Sequence, residues 1–165
     1  MELTLVRHGA TTWNATGRFQ GRTDVELSPE GREQAQAIAL RLSHERIDCI
    51  YSSDLVRANE TARIVAAPHG LAVTTDERLR EFDFGEWEGS TWDEIVVARP
   101  HLRDLGATAA NRYAPEGGET FDDVQARVRS FLDDLRARDA GHAVVVTHAG
   151  PLHAALAVLG LNDES

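Results

Sequence analysis

The chain has 165 residues, 42% apolar and 27% charged, the balance of a globular domain long enough to bury a sizeable core. Its formal net charge of −10 argues against general affinity for nucleic acid or an anionic membrane, so any anion pocket must be a local basic cluster. All 17 basic residues are arginine, which genome base bias explains more simply than a demand for bidentate phosphate donors.

Leu3 to Val6 reads as a buried strand ending in Arg7-His8-Gly9. That places a cation and an imidazole at a strand's C-terminal end, where open α/β sheets bind ligands. Gly9 removes side-chain bulk where the backbone must turn. Residues 12 to 27, with Gly17 and Gly21, lack periodicity and read as a loop over that strand end. Ser28-Pro29-Glu30 is a helix start, with Ser as N-cap and Pro at the first helical position; Ala35, Ile38, Ala39 and Leu42 then share one face.

Ile47 to Tyr51 is the second strand and holds the single cysteine, Cys49, which reads as a small buried hydrophobe. Ser52-Ser53-Asp54 supplies an N-cap to a helix with Leu55, Ala58, Ala62 and Val65 on one face, ended by Pro68 and Gly70. Arg57 therefore falls in that helix's first turn. Leu71 to Thr74 is a short third strand. Residues 76 to 118, rich in acids, glycine and aromatics, read as a lid-like excursion from the sheet. Within them a capping box at Thr91 and Glu94 starts a helix from Trp92 to Arg99.

Pro115-Glu116-Gly117-Gly118 is a turn, followed by the longest amphipathic helix, with the stripe Phe121, Val124, Val128, Phe131 and Leu135 and its end at Gly141. Ala143 to Thr147 is a largely β-branched strand suited to a sheet centre. His148-Ala149-Gly150-Pro151 follows, with Pro151 placed to open a last helix that buries Leu152, Ala155, Leu156 and Leu159. Strands alternating with helices predict a single α/β domain, a three-layer α/β/α sandwich around a mainly parallel sheet. A lone cysteine, no visible leader and no apolar run of membrane-spanning length point to the cytoplasm.

Three strands thus lead into chemically suggestive residues: Arg7 and His8, Arg57, and His148. If their ends converge, two arginines and two histidines meet around one spot that suits a phosphoryl group, whose transition state spreads charge over three oxygens. A neutral imidazole among cations is a competent nucleophile, because nearby positive charge lowers its pKa. No set of His, Cys and carboxylates has convincing metal-ligand spacing. His44, His69, His101 and His142 fall in loops or helix ends and read as solvated, while His153 is an ordinary helix residue within reach of a pocket rim. Trp13, Phe84, Trp87 and Trp92 read as pocket wall and core.

Arg7-His8-Gly9, the stretch from Ser52 to Ala58 and the stretch from Val146 to Gly150 resemble the histidine phosphatase superfamily, the group that includes cofactor-dependent phosphoglycerate mutases. So do Thr12-Trp13-Asn14, Phe19-Gln20-Gly21, Leu27 to Gly31, Leu79 to Gly89 and Gly117 to Thr120, in the family's order along nearly the whole chain. The resemblance implies a phosphoglycerate mutase-like fold and a nucleophilic His8 that carries a phosphohistidine. It implies that Arg7, Arg57 and His148 clamp the phosphoryl oxygens, and that Glu81 protonates the leaving alcohol and then helps a water attack. Spacing alone does not choose Glu81 over Asp76, Glu77, Asp83 or Glu86; the block match does. Asn14, the backbone near Gln20 and Gly21, and the amides of Ala149 and Gly150 would bind phosphate or adjoining substrate groups. No metal or organic cofactor is implied, and the partner is a small phosphate ester or inorganic phosphate.

Ala149 stands where many relatives have glycine, a change that keeps the backbone donor. The tail after the last helix is shorter than in relatives, which reads as a short member or a truncated chain, with an exposed sheet edge that a homodimer would cover. The block from Phe84 to Gly89 resembles the broad phosphatase and α-ribazole phosphatase branch, so the expected activity is a metal-independent phosphomonoesterase. A phosphoglycerate mutase is the alternative, and a non-catalytic phospholigand-binding protein the second.

Overall fold

The computed structural model describes residues 1–105, 115–138 and 141–161. Among them lie strands β1 (Glu2–Arg7), β2 (Cys49–Ser52), β3 (Val73–Thr75) and β4 (His142–Thr147), and helices α1 (Thr12–Ala15), α2 (Pro29–Leu42), α3 (Val56–Ala66), α4 (Trp92–Ala98), α5 (Phe121–Ala137) and α6 (Ala149–Val158). The strands form one parallel sheet in the order β1-β4-β2-β3. β4, the last strand in sequence, is thus inserted between the first two, and all six of its residues are buried.

The period of two along β4 divides the core. Ala143 and Val145 enter one apolar cluster with Val124, Val128, Phe131, Leu132 and Leu135 of α5; Val144 and Val146 enter another with Ala58, Ala62 and Val65 of α3. Helices therefore cover both faces, as the alternation of elements predicts. Each fully buried Val, Leu or Phe among them contributes roughly 1.5–3 kcal/mol of apolar transfer. Aromatic side chains of the excursion, Phe82, Phe84 and Trp87, belong to the α5 cluster, so its described part is packed core as well as cover. Residues 106–114 of the excursion, and residues 162–165 on which the expectation of a truncated tail rests, lie outside the described residues.

Local expectations need five corrections. Residues 12 to 27 are not all loop, because Thr11 and Asn14 cap each other reciprocally and start α1. The N-cap of α3 is Leu55, not the Ser52-Ser53-Asp54 stretch; Ser53 Oγ accepts the Leu55 N–H at 3.2 Å, and the remote Asp24 accepts that of Val56 at 2.8 Å. Asp54 is instead drawn away into an ion pair with Arg80. The last helix opens at Ala149, with Pro151 inside its first turn, and its buried residues include Gly150, Pro151, Ala154 and Ala155, while Leu152, Leu156 and Leu159 are half-buried. His142 is not solvated: it is a buried β4 residue whose Nε2 lies 2.9 Å from Thr4 Oγ1. None of the helices of the described residues is long and apolar enough to cross a membrane.

Candidate active site

Strand register brings the two histidines together. Arg7 pairs with Thr147, so His8 and His148 leave adjacent strands at the same level. The ladder runs one step further, with the His8 N–H on the Thr147 carbonyl at 2.9 Å and the Ser53 N–H on the Val146 carbonyl at 3.0 Å. The two imidazoles meet edge to face with centroids 5.0 Å apart. Both are buried.

His8 Nδ1 lies 2.7 Å from the Gly9 carbonyl oxygen. A carbonyl only accepts, so Nδ1 carries the proton and Nε2 keeps its lone pair. Burial, reinforced by the charges of Arg57 and Arg7, lowers the ring's pKa to about 4 against the raising effect of that hydrogen bond. The ring is therefore neutral at ordinary pH. Gly9 itself is required for a reason other than turning: a β-carbon there would overlap the carbonyl oxygen of Gly31 in the first turn of α2.

His148 is held well below the usual imidazole range by burial first and by the Arg57 charge next. Its Nε2 lies 2.9 Å from Ser53 Oγ. Arg57 is fully buried, and its guanidinium donates to the carbonyls of Thr23 at 2.9 Å and Gly21 at 2.7 Å. Arg57 Nε and His148 Nδ1 are both buried with no hydrogen-bond partner among the described residues. Arg7 is exposed at the end of β1, and its charge reaches both rings.

Glu81 is tied to the start of α6. Its Oε1 accepts the N–H groups of Phe82 at 2.9 Å and Gly150 at 3.1 Å. Burial raises its pKa above the ordinary glutamate value, against the pull of those amides and of Arg57. The Gly150 amide, expected to face a ligand, is thus spent on Glu81. The neighbouring acids are engaged elsewhere: Asp76 with Arg78, Asp83 with Arg22 and the Gly85 amide, Glu86 with Arg99, and Glu77 beside Arg80. Arg127 secures the Glu81 segment by donating to the carbonyls of Arg78 at 2.7 Å and Glu81 at 3.1 Å while pairing with Glu119 at 3.0 Å.

The loop expected to bind ligand through Gln20 and Gly21 also carries the anchors of Arg57, through its carbonyls. Its shape is imposed by Glu88, whose carboxylate accepts the N–H groups of Arg22 at 2.8 Å and Thr23 at 3.0 Å, the Thr23 hydroxyl at 2.5 Å and the Phe84 N–H at 3.3 Å. Asn14 and Gln20 are joined through Thr11, whose hydroxyl lies 3.0 Å from both side-chain carbonyl oxygens. Asn14 itself is exposed. Ser53, Glu88, Arg127 and Thr11 were not singled out by sequence reasoning. Only their membership in the quoted blocks, for Ser53 and Glu88, pointed to them. Among the described residues, no group of three or more His, Cys, Asp or Glu is placed to hold a metal ion.

The chain is similar to known proteins along nearly its whole length. The family described as histidine phosphatase superfamily (branch 1) matches residues 3–164. Over 155 residues the chain is 44% identical to phosphoglycerate mutase-like protein 4 of Arabidopsis thaliana, covering 90% of this chain and 66% of that protein. Phosphoserine phosphatase 1 of Hydrogenobacter thermophilus is 37% identical over 98% of this chain and 78% of its own. A mycobacterial glucosyl-3-phosphoglycerate phosphatase, solved with inorganic phosphate, superposes with a TM-score of 0.84 at 37% identity, covering 95% of this chain and 77% of that one. The chain thus spans about two thirds of the plant relative's length and about three quarters of the other two.

Proposed function

The chain belongs to the histidine phosphatase superfamily (branch 1), and from that premise we propose that it is a metal-independent phosphomonoesterase working through a phosphohistidine on His8. The observation that carries the proposal is the bond from His8 Nδ1 to the Gly9 carbonyl, which leaves Nε2 as a neutral lone pair beside His148. An oxyanion with several acceptor lone pairs is the group that satisfies the unpartnered nitrogens of Arg57 and His148. Arg7 and Arg57 supply the positive charge for the transferring phosphoryl group.

His8 Nε2 attacks phosphorus in line while the ester P–O bond breaks, and the leaving oxygen takes the proton of Glu81. The burial that raises the Glu81 pKa keeps that proton available. Glu81, now a carboxylate, takes a proton from water as the water oxygen attacks phosphorus and the P–N bond breaks. The cycle returns a neutral His8, a protonated Glu81 and inorganic phosphate.

The substrate class is a small phosphate monoester. Phosphoserine and glucosyl-3-phosphoglycerate, in the names of two relatives, both carry a carboxylate near the phosphate and head the panel to be tried. The test is phosphate release in EDTA by wild type beside His8→Ala. Release that survives chelation and vanishes in the variant supports the proposal; no release by folded wild type opposes it. The name of the plant relative favours phosphoglycerate mutase as the second reading. Interconversion of phosphoglycerates without net release selects that reaction, which the same residues would serve.

A further inference from the structure

Ser53 is fully buried, and its hydroxyl oxygen already accepts the Leu55 N–H at 3.2 Å. The hydroxyl still has a proton to place. Among the described residues its one remaining partner is His148 Nε2, at 2.9 Å. The neighbouring Ser52 hydroxyl offers no substitute, since it donates to the Ser53 carbonyl at 2.8 Å. If the ring donated Nε2–H to Ser53, the serine proton would be stranded in a dry interior, at a cost of about 1–3 kcal/mol.

We propose that the Ser53 hydroxyl donates to His148 Nε2 and so fixes His148 as the Nδ1–H tautomer, turning a neutral ring into a hydrogen-bond donor for the phosphoryl group. The inference rests on the phosphatase reading for its functional consequence, but the tautomer is a property of the free protein. With the opposite tautomer, Nδ1 would present a lone pair to a phosphoryl oxygen, and two acceptors would face each other. Sheet register supplies the geometry: Ser52 pairs with Val146 and Arg7 with Thr147, so at the ends of three adjacent parallel strands Ser53 lies one residue short of the level that His8 and His148 share. Ser53 is thus a positioning residue, acting through His148 and not on the substrate.

The test is the protonation of the two His148 nitrogens, read from long-range ¹H–¹⁵N correlation spectra at neutral pH, with the signals assigned by their loss in His148→Gln. Wild type is expected to show a protonated Nδ1 and a bare Nε2. Ser53→Ala is expected to lose that preference and to bind inorganic phosphate about tenfold more weakly, while Ser53→Thr, which keeps the hydroxyl, restores both. A protonated Nε2 in wild type overturns the proposal, as does an unchanged tautomer in Ser53→Ala. The wild-type spectrum decides even if the alanine variant does not fold. Absence of phosphate release from wild type showing the Nδ1–H pattern would defeat the phosphatase reading and leave the tautomer assignment standing.

Discussion

Gly150 donates its backbone N–H to the Glu81 carboxylate at 3.1 Å and leaves no room for a β-carbon beside it. An added methyl would overlap both Glu81 Oε1 and the Phe82 ring. The start of α6, capped by His148, therefore holds the proposed general acid in place.

Gly150→Ala should displace Glu81 more than it unfolds the protein. Overpacking of this kind costs about 1–3 kcal/mol. The kinetic loss should depend on the leaving group, about 10²-fold or more for an alkyl phosphate and much less for an aryl phosphate whose alcohol departs without a proton. Glu81→Gln should show the same split. Steady-state kinetics on the two ester classes decide it; an equal loss on both would remove Glu81 from the acid role.

The pH profile of kcat/KM should be bell-shaped. As pH rises through about 4, His8 loses its proton and becomes a nucleophile, so the rate climbs. The rate falls again as Glu81 gives up its proton, above the ordinary glutamate range. Glu81→Gln should flatten the alkaline limb. Stability has its own sign: His8 binds its proton less readily folded than unfolded, so the unfolded chain gains protons first as pH falls from about 6.5 to about 4. Stability should therefore drop with acidification across that window, and His8→Gln should make the drop shallower in denaturant titrations.

Glu88→Ala should act on Arg57 from a distance. It strips three donors of their acceptor in the loop whose Gly21 and Thr23 carbonyls hold that guanidinium, and a fourth, the Phe84 N–H, in the excursion packed beside it. The expected result is a loss of about 1–3 kcal/mol in stability and a weaker grip on inorganic phosphate, measured by calorimetry. Glu88→Gln, which keeps the shape and two acceptor lone pairs, should fall between the two.

Gly31→Ala should disturb His8 without touching it. The added carbon would overlap the Ala10 carbonyl oxygen, against which the start of α2 is packed. The Ser28 N–H and hydroxyl both donate to that same oxygen, at 2.9 and 3.1 Å, so it has little freedom to retreat. A cost of about 1–3 kcal/mol corresponds to a fall of several degrees in melting temperature for a domain of this size. An unchanged melting temperature would show that the two segments can separate.

Much of this arrangement is readable in one dimension because it sits at strand ends. Arg7, His8 and His148 each follow an apolar run, and Arg57 follows a strand by one turn, so the rule about strand C-termini brings them together before any coordinates are known. His142 shows the limit: it looks like a boundary residue, but its neighbour in space is Thr4, 138 positions away, and that pairing buries it. Asp54 looks like a helix cap, but Arg80 competes for it and Asp24 takes its place.

The sequence by itself determined the parallel α/β architecture, the placing of His8, Arg7, Arg57 and His148 at or just beyond strand ends, and, by resemblance of its ordered blocks, the family. Periodicity, punctuation and residue order are local properties, and those features depend on nothing more. Only the tertiary structure decided which nitrogen of His8 keeps its lone pair, why Gly9 and Gly150 must lack a side chain, and that Ser53, Glu88 and Arg127 support the site. Each of those depends on a contact between segments far apart in the chain, where a difference of a few ångströms separates a hydrogen bond from a clash.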